Sequence, residues 1–342
     1  MLRRHDAVRE AVRDPSLRAE VVARVPLHYT DGADESLDRP AHVRAGSSLA
    51  WLDDHLALVQ DDANFIALVH PRDGHVQAIA LPPGEGGVRQ FDDGRGNKKH
   101  KLDLEACVTV RGPTGSRLMA FGSGSKRRRR RIAILDDATT HTPRVRLHDA
   151  EALYELLEAT TGFAGSDMNI EGAMVVADVV RLFGRGNGAP RRGLLPLNAT
   201  CDLSLSTLME YLEHPGRHSP PVPQHVTQYQ LGHLRGTPLG FTDCAHLGAA
   251  VLYSAAAEAS KDAVDDGVVT GSVIGVIDAR QQARYAELTD ETGQSLLDKV
   301  EGLVLARDVP NTAYVVIDRD DATSASELCT VALRGEWFTS TR

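Results

Sequence analysis

Apolar residues recur along the chain in short runs that are rich in β-branched side chains and end at glycine, aspartate, asparagine or proline. Runs of this length and composition are typical of β-strands separated by tight turns. Helical spacing is clear at one internal place, Asp149–Thr160. The charged, amphipathic first 20 residues predict a short helical extension that breaks at Pro15. The pattern therefore predicts an all-β domain with one internal helix.

One local pattern occurs three times: an apolar residue, a glutamate and a small residue open a strand-like run. The segments LEACV, IEGAM and VEGLV contain Glu105, Glu171 and Glu301. Two further strand-rich runs fit the same spacing, with Ser47 and Thr242 at the glutamate position. A strand-rich chain with a long internal repeat is typical of a β-propeller. The sequence predicts five blades that start near residues 47, 105, 171, 242 and 301, with six blades as the alternative.

Residues 21–342 are expected to form this single propeller domain around a central channel. The chain after Glu301 is too short for a full blade. We therefore expect the N-terminal segment VVARVPLHY to supply the missing strand of the last blade. This closure would also remove an exposed sheet edge.

The innermost strands of a propeller line its channel, so residues at one register of these strands face the axis. Three carboxylates placed there repel one another, and either protons or a cation must relieve the repulsion. An oxygen-only set suits Ca²⁺, with Mg²⁺ or Mn²⁺ as alternatives. Structural hydrogen bonds from the glutamates to backbone N–H groups are the other interpretation. The predicted metal ligands are Ser47, Glu105, Glu171, Thr242 and Glu301.

These five positions resemble those of the soluble calcium-activated nucleotidases (apyrases), which are five-bladed propellers with a Ser, Glu, Glu, Ser, Glu ring around Ca²⁺. The segments DLEACV, NIEGAM, GFTDCAHL and KVEGLVLA carry the resemblance, with Thr242 in place of a serine. The chain is also similar to esterase-like and phytase-like propellers and to an uncharacterised bacterial propeller family. The nucleotidase resemblance implies a metal-dependent phosphohydrolase.

Polar loops that follow the second strand of each predicted blade are expected to surround the channel mouth. Acidic side chains beside arginine and lysine there suit an anionic, phosphate-bearing small molecule. In the nucleotidase-like interpretation, Arg185 and Lys99 hold phosphate oxygens. Asp61 or Glu258 then activates water as the general base. The alternative is a non-catalytic binding or scaffold propeller with a structural calcium ion.

The net charge and the motifs that the sequence lacks make several classes of function less expected. The formal net charge of −9 gives no general attraction to nucleic acid. The N-terminus has no apolar signal segment, and no run approaches the roughly 20 apolar residues of a membrane span, so we expect a cytoplasmic protein. The four cysteines lack zinc-site spacing, and neither a P-loop nor a GxSxG motif is present. The basic tract Lys126–Arg131 fits either a solvated loop or a phosphate, nucleic-acid or membrane contact.

Overall fold

The computed structural model describes residues 8–112, 115–140, 142–259 and 267–337, and strands dominate them, as predicted. The N-terminal strands are β1 (Arg9–Arg13) and β2 (Arg18–Pro26). Sheet 1 contains β3 (Gly46–Leu52), β4 (His55–Gln60), β5 (Phe65–Val69) and β6 (Val76–Ala80). Sheet 2 contains β7 (Leu104–Arg111), β8 (Ser116–Gly122), β9 (Arg131–Asp136) and β10 (Arg144–Asp149).

The second half of the chain continues the same arrangement. Sheet 3 contains β11 (Ile170–Val176), β12 (Val179–Gly184), β13 (Asn198–Ser204) and β14 (Gln224–Gln230). Sheet 4 contains β15 (His233–Leu234), β16 (Thr237–Leu247), β17 (Ala250–Ala259), β18 (Val268–Ile277) and β19 (Ala283–Thr289). Sheet 5 contains β20 (Lys299–Leu305), β21 (Thr312–Asp318) and β22 (Glu327–Arg334). In every sheet, successive strands pair antiparallel.

The N-terminal strands tie the end of the chain to its beginning. β2 pairs antiparallel with β22 and so adds a fourth strand to sheet 5, as predicted. β1 runs parallel between β14 and β19. The predicted helical extension over residues 1–20 is therefore wrong for residues 8–20, while residues 1–7 lie outside the described part. The open edges of β14 and β19 offer this charged segment backbone partners, and such tertiary pairing overrides local helical spacing.

One strand from each of the five sheets takes part in a closed ring. β3 contacts β7, β7 contacts β11, β11 contacts β16, β16 contacts β20, and β20 returns to β3. Each of these strands contains a β-bulge, and the bulges fall at Ser47, Glu105, Glu171, Thr242 and at Glu301 with Gly302. A bulge re-aims a side chain out of the regular alternation of a strand. The repeat read from the sequence therefore marks the points at which the ring strands are interrupted.

In the part of the chain that the structure describes, three α-helices lie outside the ring: α1 (Glu151–Ala159), α2 (Thr161–Ala164) and α3 (Leu205–Glu213). α1 is the predicted internal helix. α3 was missed, although Leu205, Leu208 and Leu212 follow helical spacing and Ser204 caps the helix by accepting from the Thr207 N–H. No helix in the described ranges is long and apolar enough to cross a membrane.

Tight packing closes the centre of the ring. A Cβ atom at Gly302 would lie 2.8 Å from Leu49 Cγ, so only glycine fits between β20 and β3 there. The buried carboxylate of Asp243 accepts hydrogen bonds from the backbone N–H groups of Leu49 (3.2 Å) and Leu303 (2.9 Å). These contacts lie between two separate cavities, one at each end of the ring strands.

Candidate functional site

A polar cavity lies at the end of the ring where the five bulges occur. Its lining holds eight carboxylates and four basic side chains, which leave a formal charge of −4. We call it the axial acid cavity. Its lining residues are Ser47, Asp61, Lys101, Asp103, Glu105, Arg129, Asn169, Glu171, Arg185, Asn187, Glu258, Lys299, Glu301, Asp318 and Asp320.

Four of the five predicted axial residues line this cavity, and Thr242 does not. Ser47, Glu105, Glu171 and Glu301 face it from the bulges of β3, β7, β11 and β20. Thr242 is fully buried, and its hydroxyl donates to Ser254 Oγ at 2.9 Å. The bond to β17 holds the Thr242 side chain within sheet 4, away from the predicted ligand position.

One half of the axial acid cavity is organised around Lys101. Its ammonium contacts Asp61 and lies 2.7 Å from Asp103 Oδ1. Arg129 Nη1 lies 2.9 Å from the other oxygen of Asp103. Glu105 stands in the same half, where burial, reinforced by the charges of Asp103 and Asp61, raises its pKa well above the usual value. This half carries carboxylate charge that its two cations do not balance.

The other half contains two cations between three glutamates. Arg185 Nη2 lies 2.6 Å from Glu258, and Arg185 Nη1 lies 3.4 Å from Glu171. Lys299 Nζ lies 2.6 Å from Glu301 and 3.6 Å from Glu258. Burial raises the pKa of Glu171 to about 7 and that of Glu301 to about 8, against the attraction of these cations. Both carboxyls therefore take up protons near neutral pH.

Buried oxygens without hydrogen-bond partners point into the same space. Glu301 Oε2 has no partner within the described ranges, although the residue is only 4% exposed. Asp61 Oδ1 and Asn187 Oδ1 are likewise buried and unpartnered there. All three atoms accept hydrogen bonds or coordinate cations, and none can donate when the carboxyls are ionised. Leaving such acceptors unpaired is costly, so the geometry favours a bound donor or cation.

Three carboxylates are close enough to share one cation. Asp61, Asp103 and Glu105 each offer an oxygen, and these oxygens lie within 4.8 Å of one another. Oxygen-only ligands suit Ca²⁺ and Mg²⁺. The residues present thus fit a hard divalent cation, although the group overlaps the predicted ligand set only at Glu105.

Three of the four predicted catalytic residues line the axial acid cavity, and Lys99 does not. Asp61, Arg185 and Glu258 line the axial acid cavity, each paired with an opposite charge. Lys99 is exposed and does not line the cavity, and its contact with phosphate stays a prediction. It lies in the 3₁₀ turn Lys98–His100, where successive side chains point in different directions. The missed residue is Lys101, which is buried in the cavity.

The basic tract Lys126–Arg131 is split between the cavity and the surface. Arg129 is buried and contacts Asp103. Arg127 and Arg130 pair with Glu151 at the start of α1, and Arg130 also pairs with Glu158. Most of the tract is thus taken up by neighbouring acids, as expected for a loop between strands.

A side cleft opens into the axial acid cavity and shares Asp61, Lys101, Asp318 and Asp320 with it. Its wall contains Arg44, which is 2% exposed and was not singled out from the sequence. Arg44 Nη1 donates to Gln90 (3.0 Å) and Asp92 (3.3 Å), and Nη2 lies 2.5 Å from Asp62. Burial and the nearby Asp61 raise the pKa of Asp62 to about 6. The cleft is lined by polar side chains and adjoins the cavity at the four shared residues.

Comparison with known proteins identifies one sequence family and several distantly similar structures. The sequence model of a family of unknown function, DUF6929, matches residues 42–333. No curated protein matches the chain. Glutaminyl cyclase of Myxococcus xanthus is 9% identical, with a TM-score of 0.40, and the match covers 96% of this chain and 99% of that chain. The PQQ-bound form of aldose sugar dehydrogenase of Streptomyces coelicolor is 10% identical, with a TM-score of 0.44 and coverage of 94% of this chain and 100% of that chain. α-L-arabinanase of Penicillium chrysogenum is 7% identical, with a TM-score of 0.43 and coverage of 91% of this chain and 98% of that chain. Likenesses this distant carry no argument about function, and the resemblance to nucleotidases stays a prediction.

Proposed function

We propose that this chain, which belongs to the family of unknown function DUF6929, is a five-bladed β-propeller that binds one divalent cation, Ca²⁺, and acts as a metal-dependent hydrolase. The blades would be the five sheets that contribute the ring strands β3, β7, β11, β16 and β20. The substrate would be a small phosphorylated or otherwise anionic molecule that enters through the side cleft.

The observation that carries the proposal is the excess of carboxylates in the axial acid cavity. Eight acids against four bases would leave four negative charges in a buried space if every acid were ionised. Like charges at this density must be relieved by protons or by a cation. Asp61, Asp103 and Glu105 supply the close oxygen group that a hard cation requires.

The cation would neutralise substrate charge, which Arg185 and Lys101 cannot readily do because carboxylates already engage them. Asp61 keeps one unpartnered oxygen that can accept a proton from an attacking water. Glu301 can return a proton to the leaving group, since its pKa of about 8 keeps it protonated at neutral pH. The water oxygen then bonds to the reacting centre as the leaving group departs.

The first test is metal content. We expect about one Ca²⁺ per purified chain by mass spectrometry, and a rise in the melting temperature when Ca²⁺ is added to chelator-treated protein. Glu105→Gln should reduce that rise, whereas Glu35→Gln, a control at an exposed glutamate, should not. Absence of bound metal together with an unchanged melting temperature would reject the cation site.

The second test is turnover. Phosphate release from nucleoside di- and triphosphates and from phosphoesters should be measured with Ca²⁺, Mg²⁺ or Mn²⁺. We expect Glu301→Gln to lower kcat by at least about a hundredfold, as loss of a general acid typically does. Glu35→Gln should leave kcat unchanged.

One observation favours a second candidate, a binding propeller with a structural cation. Each of the four bases in the cavity already contacts a carboxylate, so none is plainly reserved for a substrate anion. Metal binding without turnover of any substrate in the series would support this candidate.

A further inference from the structure

A second cavity lies at the opposite end of the five ring strands. It has a volume of about 330 Å³, and all five strands β3, β7, β11, β16 and β20 contribute to its wall. Its floor consists of Leu49, Cys107, Ala173 and Cys244, none more than 4% exposed. We call it the apolar cavity.

The apolar cavity is separate from the axial acid cavity. No residue lines both. Between them the buried carboxylate of Asp243 accepts from Ser48 Oγ at 3.1 Å and from the Leu303 N–H at 2.9 Å. Gly302 packs directly against Leu49 at the same level. A molecule in the apolar cavity would therefore have no contact with the charged residues of the proposed metal site.

Two polar side chains around the apolar cavity, those of Trp51 and Thr109, have hydrogen-bond partners within the protein. Trp51 Nε1 donates to the Leu305 carbonyl at 2.7 Å, and Thr109 Oγ1 donates to the Trp51 carbonyl at 2.6 Å. Burial raises the pKa of Cys107 and of Cys244, so both thiols stay neutral. A water needs two to four polar partners to be held in a cavity, and a charge needs a counter-charge. Apart from His246 and Arg307, the side chains that line the cavity are apolar or have the internal partners just described.

The mouth is narrowed by one side chain. The Arg307 guanidinium lies over the Trp51 ring, 4.5 Å from its centre, and also donates to the Asp53 carbonyl. The concave wall of five strands surrounds a volume that suits a compact molecule. Concave, mostly apolar pockets of this size are typical of small-molecule sites.

We propose that the apolar cavity is a second binding site, for a small uncharged apolar molecule of aromatic or branched aliphatic type. The site is independent of the metal site and of any hydrolysis. Binding would be driven by removal of the ligand's apolar surface from water.

The probe for this proposal is N-phenyl-1-naphthylamine, an uncharged apolar fluorophore. The chain has two tryptophans, so Trp337→Phe leaves Trp51 at the cavity mouth as the only one. We expect saturable probe fluorescence at one probe per chain, with matching quenching of Trp51. In the wild-type chain, the fluorescence of the probe gives the same titration without the substitution.

Two variants fill the cavity, and one matched variant does not. Ala245→Phe and Ala173→Leu add bulk on the wall and should weaken probe binding at least tenfold. Ala279→Phe, at an exposed turn, should leave it unchanged. Circular dichroism establishes that each variant is folded, and Glu105→Gln should bind the probe like the wild type.

Three results would overturn the assignment. The wild-type protein could fail to bind the probe, or both folded cavity-filling variants could bind it as tightly as the wild type. A dimer in solution that Ala245→Phe dissociates would instead show that a second copy of the chain covers the cavity.

Discussion

Asp243 holds the centre of the ring together. Its carboxylate accepts four hydrogen bonds, from the backbone N–H groups of Leu49, Cys244 and Leu303 and from Ser48 Oγ. The Ser48 hydroxyl oxygen in turn accepts from the Cys107 N–H. One buried side chain thus links β3, β16 and β20 directly, and reaches β7 through Ser48.

Removing this carboxylate should be among the most damaging single changes in the chain. Asp243→Ala leaves four buried donors without acceptors, and we expect it to lower the free energy of unfolding by about 3 kcal/mol or more. Chemical denaturation measures the loss. Asp31→Ala, at an exposed aspartate, is the control and should change stability by less than about 0.5 kcal/mol. A stable Asp243→Ala protein would show that the bonds to this residue are dispensable.

The sequence singled out the glutamates at the bulges but not Asp243 or Lys101. A carboxylate within an apolar strand is unusual, and its repetition gave Glu105, Glu171 and Glu301 a recognisable pattern. Lys101 lies outside the strands, where chain direction decides which of several adjacent polar side chains turns inward. That direction depends on tertiary contacts, and the sequence therefore favoured the neighbouring Lys99.

At the level of elements, the sequence predicts β2, whose own residues form an apolar run, but not β1, whose strand conformation depends on its neighbours. The apolar run of β2 predicted a strand, and the shortage of chain after Glu301 predicted its partner, β22. β1 differs from the predicted helix because it pairs with the edges of β14 and β19, and nothing in its own charged sequence indicates those partners. Helix α1 was predicted because its apolar spacing is regular over several turns.

Two adjacent valines of β2 test its importance. Val21 is fully buried and faces the core of sheet 5, whereas Val22 is 47% exposed. Val21→Asp buries a charge without a partner and should cost about 3 kcal/mol or more of unfolding free energy. Val22→Asp makes the same chemical change on the solvent side and should cost less than about 1 kcal/mol. Similar losses in denaturant titrations of both variants would contradict the observed strand register.

For the whole molecule, charge is concentrated at one end of the ring. The chain has a formal net charge of −9, and the axial acid cavity holds −4 within a buried space. The pKa values of Glu171 (about 7) and Glu301 (about 8) lie above the ordinary glutamate value of 4.5. The folded protein therefore binds these protons more tightly than the unfolded chain does, and the stabilisation is lost as pH rises through 7 and 8.

The expected result is a melting temperature that falls between about pH 5 and pH 8 when a chelator is present. Added Ca²⁺ should restore more stability at pH 8 than at pH 5, because protons and the cation relieve the same repulsion. Scanning calorimetry across this range measures both effects. Glu301→Gln should flatten the fall, and a melting temperature that is constant with pH would contradict the assignment of raised pKa values.

The pairing of β2 with β22 also sets an order of events during synthesis. β2 leaves the ribosome long before β22, because most of the other strands lie between them in the chain. Until β22 has been synthesised, the edge of β2 lacks its hydrogen-bonded partner strand and the earlier sheets lack part of their final packing. Such long-range pairing makes folding slow and leaves partly made chains open to aggregation. The β2–β22 pair, and with it the fourth strand of sheet 5, can form only after β22 has been synthesised.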